Sequence, residues 1–155
     1  MFETLMNLVQ QNSGSAIINN PAIPNDQNDT VMQTVTNSMM NGLGQQAQGG
    51  GLGNLLNSFM GGQAGDISNH SVTTGVQGNV QQDLMSKLGI SPQVATMIAS
   101  AVVPMVLSRF MNKAADPNDR SVDAGSLISM LGGGGGGLGG GGGLGGMLGN
   151  ILGGR

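Results

Sequence analysis

Residues 91–113, S-P-Q-V-A-T-M-I-A-S-A-V-V-P-M-V-L-S-R-F-M-N-K, decide the fold. This is the longest apolar run in the chain, and its start is marked. Ser91 can cap free backbone N–H groups, and Pro92 at the first helical position loses nothing by lacking its own. Between Val94 and Leu107 only Thr96 and Ser100 are polar, so the stretch predicts a helix apolar on nearly every face. Such a helix belongs inside a core or a membrane. The apolar run falls short of the roughly 20 residues that a membrane span needs. Pro104 and the polar flanks weaken a membrane reading further, so a buried central helix is expected, the most enclosed element of its fold. Pro104 removes one hydrogen bond and is expected to kink or break the helix.

Working outward, Val72, Val76, Val80, Leu84 and Leu88 recur every four residues and predict a second long helix over residues 68–88. Gly89 supplies its stop, and Ile90 and Ser91 start the central helix at once, so these two helices should be neighbours. Gly75 and Gly78 cost that helix about 1 kcal/mol each relative to alanine, and are tolerable where another helix packs closely. Earlier, Phe2, Leu5, Met6 and Val9 share one face of a short helix stopped near Gly14, with Ala16, Ile17 and Ile18 as an apolar plug. The segment N-N-P-A-I-P-N-D is a turn that passes no helix. A further helix should begin at Asn25 or Asp26, bury Val31, Val35, Met39 and Leu43, and end at Gly42 and Gly44. Residues 45–51 and 61–66 read as linkers by composition. After the central helix, A-D-P-N-D-R-S is a turn, and Asp123 can cap a short helix ending at Leu131.

One pattern occurs three times, at residues 52–62, 124–133 and 144–154: two turns of amphipathic helix closed by glycine. The first two copies each follow a longer helix, so residues 24–62 and 92–133 read as an internal repeat. The expected organisation is one all-α helical domain over residues 1–131, five or six helices with no sheet, and a glycine-rich tail over 132–155. The few apolar side chains of that tail cannot repay the ordering of so much glycine, so most of it is expected to be disordered. Its last segment is an exception in pattern. Leu144, Met147, Leu148, Ile151 and Leu152 share one helical face and form a candidate interaction surface, helical only when docked.

Composition narrows the function. Thirty glycines, 12 methionines and three aromatics, all phenylalanine, leave a core of Leu, Ile, Val and Met, which packs adaptably and specifies weakly. The net charge is −3 with a pI near 4.6, and the five basic residues are scattered, so no nucleic-acid surface is expected. There is no cysteine for a disulfide framework or a thiolate ligand. The opening residues lack the basic and apolar regions of a signal peptide, which points to the cytoplasm.

The candidate chemical sites each have a plainer explanation. His70 is the single histidine and, without a second histidine or a cysteine, cannot build a zinc site alone. It reads as an exposed residue at a helix start. Residues 116–123, D-P-N-D-R-S-V-D, hold three carboxylates, but Arg120 and Ser121 stand where a calcium loop wants an oxygen ligand and glycine. Turn formation and capping account for them, as for residues 25–29. No Gly-Lys-Ser/Thr closes a glycine run, so no phosphate loop is present. No catalytic, cofactor-binding or metal-binding residue is nominated, and no small-molecule substrate is identified.

The stretch V-V-P-M-V-L-S-R-F-M-N-K-A-A-D-P-N-D-R-S-V-D, residues 102–123, followed by short glycine-rich helices, resembles the YidB-like family of small bacterial proteins, a domain of unknown function. The opening M-N-L-V-Q-Q-N-S-G-S-A-I-I-N-N-P-A-I-P-N-D-Q-N-D, residues 6–29, is similar to its Bacteroidetes branch. The resemblance covers residues 1–133 and implies a multihelical bacterial protein with no assigned activity or cofactor. The long glycine tail departs from the family. The sequence thus points to a non-enzymatic structural or interaction protein, self-associating or docking a protein partner through apolar helix faces. The alternative is a membrane-surface or envelope-associated protein using its short amphipathic helices, although these lack the Lys/Arg-rich face usual for such binding.

Overall fold

The structure, a computed structural model, describes residues 2–62, 64–116, 118, 119 and 122. Among the described residues the fold is all-α, with five α-helices and no strand. These are α1 (Phe2–Asn12), α2 (Asn28–Gln48), α3 (Gly51–Met60), α4 (Ser71–Leu88) and α5 (Pro92–Ala115). Short turns join them: a π-helical turn at Gly14–Ile18 and 3₁₀ turns at Asn25–Gln27 and Ala64–Asn69.

α1 buries Leu5, Leu8 and Val9, while Phe2 stays 39% exposed, so its inner face is turned from the one the spacing predicts. The chain then reverses on side chains. Asn12 Nδ2 donates to the Leu8 carbonyl, and Ser13 Oγ to that of Val9. Asn20 Nδ2 donates to the Ala16 carbonyl, and its Oδ1 accepts the Ala22 N–H, which fixes the turn before Pro24. The expected plug is present in part: Ala16 and Ile17 are buried and Ile18 is exposed.

α2 starts at Asn28, behind the 3₁₀ turn, and no side chain caps it. Val31, Val35, Met39 and Leu43 are fully buried, as their spacing requires. The helix does not end at Gly42 and Gly44, however. It runs on to Gln48, and the break is Gly50 with φ +75°. The reason is packing. A Cβ on Gly42 would lie 3.1 Å from Val76 Cγ2 and 3.2 Å from Val76 Cα, so this glycine lets α2 and α4 touch. Residues 45–51 are therefore mostly the end of a helix, and only Gly49 and Gly50 separate α2 from α3. α3 buries Leu52 and Leu55 and is the short helix that the first copy of the repeated pattern predicts. The short helix of the second copy, residues 124–131, lies outside the described residues.

α4 begins at Ser71, with a 3₁₀ turn over much of the stretch read as linker and helix start. Val72, Val76, Val80 and Leu84 are fully buried, and Leu88 is half-buried at the end of their stripe. Gly89, with φ +65°, closes the helix, and the Ile90 N–H bonds back to the Leu84 carbonyl. α5 then packs along α4, as the short joint demands, while α4 also packs along α2 and α1 lies against both α2 and α5.

Ser91 sits at the cap position of α5, but its side chain makes no cap bond; its carbonyl accepts the Ala95 N–H. Pro104 does not break α5, which continues to Ala115. Ser100, whose carbonyl loses its donor to the proline, is on the exposed side, where water can take that bond. α5 supplies Ile98, Val102, Val103, Val106, Leu107 and Phe110 to the core, all fully buried. It is not enclosed on every side. Met97 and Met105 are 52% and 44% exposed, so the helix has an outer face, on which Gln93, Thr96, Ser100 and Ser108 also lie.

Candidate interaction surface

His70, Asp116 and Asp119 are held in structural roles. His70 precedes α4 as its cap, rather than standing inside its first turn: Nδ1 accepts the Val72 N–H at 3.3 Å, and the backbone carbonyl accepts the Thr74 N–H. Asp116 Oδ1 accepts the Asn118 N–H at 2.9 Å, and Asp119 pairs with Lys113 at 2.9 Å. These bonds make the turn after α5, as the composition suggested, and Asp123 lies outside the described residues. Among the described residues no group of three His, Asp or Glu side chains is placed to hold a metal ion.

A charged group, which the sequence did not single out, takes part in one of the polar contacts between helices. Ser38 on α2 donates to Asp83 on α4, and Lys87 reaches the same carboxylate at 3.1 Å. Ser38 has one hydroxyl proton and also faces the Thr34 carbonyl, and the charged carboxylate is the stronger acceptor. The Ser38 hydrogen bond is the largest single cause that holds the Asp83 carboxyl below the usual range; burial opposes it, and Lys87 lowers it further by its hydrogen bond and its charge. The Lys87 half of this contact is visible in sequence as an i,i+4 pair. The Ser38 half spans two helices and has no local signal. Thr73 is buried on α4, and its hydroxyl finds no hydrogen-bond partner among the described residues.

Two open grooves can be traced among the described residues. One, of about 420 Å³, runs along α4 beside Gly78, Gln81, Gln82, Met85 and Ser86. The other, of about 360 Å³, lies at the Ile18–Asn25 turn. Neither gathers charged or nucleophilic side chains.

Among the described residues α5 places two of the exposed large apolar side chains, Met97 and Met105, on one helix face. Met97, Ala101 and Met105 form one row at i, i+4, i+8, and Ser100, Pro104 and Ser108 form the row beside it. All six are exposed or half-buried. No residue from Ser91 to Ser108 carries a charge. Among the described residues α5 is the one helix long and apolar enough to cross a membrane, being longer than its apolar run, and half of its most apolar window is buried in the protein. The face built from Leu144, Met147, Leu148, Ile151 and Leu152 lies outside the described residues. Comparison with family models, with curated proteins and with solved structures finds no match for this chain.

Proposed function

We propose that this is a non-enzymatic structural or interaction protein that self-associates through apolar helix faces. The outer side of α5 carries the proposal: two exposed methionines on a surface without charge over residues 91–108. Soluble monomers keep such contiguous apolar patches small, and patches of this kind mark association surfaces. His70, Asp83, Asp116 and Asp119 are each engaged in capping, turn or ion-pair contacts, which favours a role without catalysis. We place the protein in the cytoplasm and, on the resemblance of residues 1–133, among YidB-like bacterial proteins.

The second reading is attachment to a membrane surface, and Phe2, exposed at the tip of α1, favours it. Sedimentation of the full chain at several concentrations, with and without anionic liposomes, separates the two. Self-association gives a mass that rises with protein concentration in the absence of lipid. A concentration-independent monomer that floats with liposomes sinks it and supports the second reading.

A further inference from the structure

We infer that the occupant of the outer α5 face is α5 of a second copy, packed across a two-fold axis that passes between Ala101 and Pro104. This rests on the self-association proposed above and names its surface and geometry. Three observations select a copy of the chain over another partner.

The first is relief. The row Met97–Ala101–Met105 carries the long side chains, and the adjacent row Ser100–Pro104–Ser108 carries short ones, so a ridge lies directly beside a groove. Both rows run in the i, i+4 direction, the one whose ridges interdigitate in the commonest helix–helix packing, at a crossing angle of about −50°. The complement of a ridge beside a groove is the same relief turned by a two-fold, which is what an isologous interface requires. Each methionine row then lies on the small-residue row of the other copy, and Ala101 leaves the space between Met97 and Met105 open.

The second is charge. The protein is acidic, so two copies repel unless the contact avoids charged groups. The outer α5 face has none before Arg109, and this end of the helix lies away from the centre of the two rows. A basic or acidic partner finds nothing complementary there, whereas a neutral face is matched by itself.

The third is position. The inner side of α5 buries Ile98, Val102, Val106 and Leu107, and the helix packs against α4 and α1, so the outer rows are presented on a helix fixed by the core. Little ordering cost is left to be met on association. Methionine side chains adapt to a facing surface, which suits such a contact.

Because the chain contains no cysteine, a single introduced thiol reports the geometry without interference. In Ala101→Cys the two thiols flank the axis. An interaxial distance of about 8–10 Å brings their Cα atoms within the about 4.4–6.8 Å that a disulfide spans. The expected result is a covalent dimer of full-length A101C under mild oxidation, forming at least tenfold faster than in Gln82→Cys on the α4 groove. Adding Met97→Lys and Met105→Lys to A101C should slow that bridge at least tenfold, with an unchanged helical circular-dichroism spectrum. Both lysines replace exposed side chains, so the fold is not at risk. If the protein self-associates but Q82C bridges as fast as A101C, this geometry is wrong and self-association stands. If the mass is that of a monomer at every concentration, with or without liposomes, both fall. A bridge in A101C/L148C that forms within one chain, independent of concentration, overturns the inference in favour of the chain's own C-terminal segment as the occupant.

Discussion

Among the described residues, small side chains line both the contact between α2 and α4, which is filled, and the outer side of α5, which is not. Between α2 and α4, Gly42 lies within contact distance of Val76 backbone, and a Cβ on Gly75 would collide with the Gln46 side chain at 2.5 Å. There the missing side chains are replaced by a neighbouring helix. On the outer side of α5, Ser100, Ala101, Pro104 and Ser108 leave similar room, with Met97 and Met105 standing beside it and remaining about half exposed. The difference teaches that small residues on a helix are an invitation to pack, and that their meaning depends on whether the fold delivers a partner. α2 and α4 deliver one to each other. α5 delivers its inner face to the core and its outer face to solvent.

The sharpest test of the inner and outer faces of α5 uses one substitution on each. Ile98 is fully buried, and Ile98→Asp places an unpaired carboxylate in the apolar core. The expected outcome is loss of cooperative folding, seen as loss of the thermal transition. Met105→Asp, on the outer face of the same helix, should leave the melting temperature within a few degrees. If both variants fold alike, α5 has no inner face and the core assignment fails.

A smaller but still large effect tests the filled interface. Gly42→Val puts a branched side chain where Val76 Cα already stands at 3.2 Å from the Cβ position. Overpacking of this kind costs about 1–3 kcal/mol, measured by denaturant unfolding. Gly78 on α4 is the counterpart, because nothing lies within 4 Å of its Cβ position. Gly78→Ala should stabilise by about 1 kcal/mol through helix propensity alone. Equal effects of the same sign at the two sites would show that close approach is not what Gly42 provides.

These glycines also show what a lone sequence can and cannot reveal. The stripes Val31–Val35–Met39–Leu43 and Val72–Val76–Val80–Leu84 are legible because burial repeats with the helix period, and all eight are fully buried. Gly89 is legible as a stop because a new helix start follows it immediately. Gly42 and Gly44 are not, since a glycine that ends a helix and one that lets a helix approach look identical until the neighbour is known. The true break at Gly50 depends on a positive φ, which glycine permits and does not announce. The outer face of α5 was hidden for a different reason. Its polar marks are few and uncharged before Arg109 (Gln93, Thr96, Ser100 and Ser108), and Met97, Ala101 and Met105 stand among them, so the contrast that separates the exposed side from the buried one is weak. The candidate face at residues 144–152 has clear periodicity and lies outside the described residues.

The smallest expected effect concerns the polar bond across the filled interface. Ser38 on α2 is the largest single cause that lowers the Asp83 carboxyl on α4, so the ionised form is favoured in the folded protein. A carboxyl lowered on folding contributes stability that is fully present above its unfolded value of about 3.9. That contribution is lost as pH falls through the lower folded value. Ser38→Ala removes that largest single cause and leaves Lys87 in place. The Asp83 titration, followed by carboxyl NMR, should then move up toward the ordinary range, and the loss of stability on acidification should become shallower. Above pH 5 the two proteins should differ by a small constant amount, because Asp83 is ionised in both states. The Lys87→Ala variant supplies the comparison: its Asp83 shift should be smaller, since the lysine is more than half exposed and its attraction is screened by water and salt. If Lys87→Ala moves the titration more than Ser38→Ala does, the carboxylate is held by its own helix, and Ser38 does not tie α2 to α4 through it.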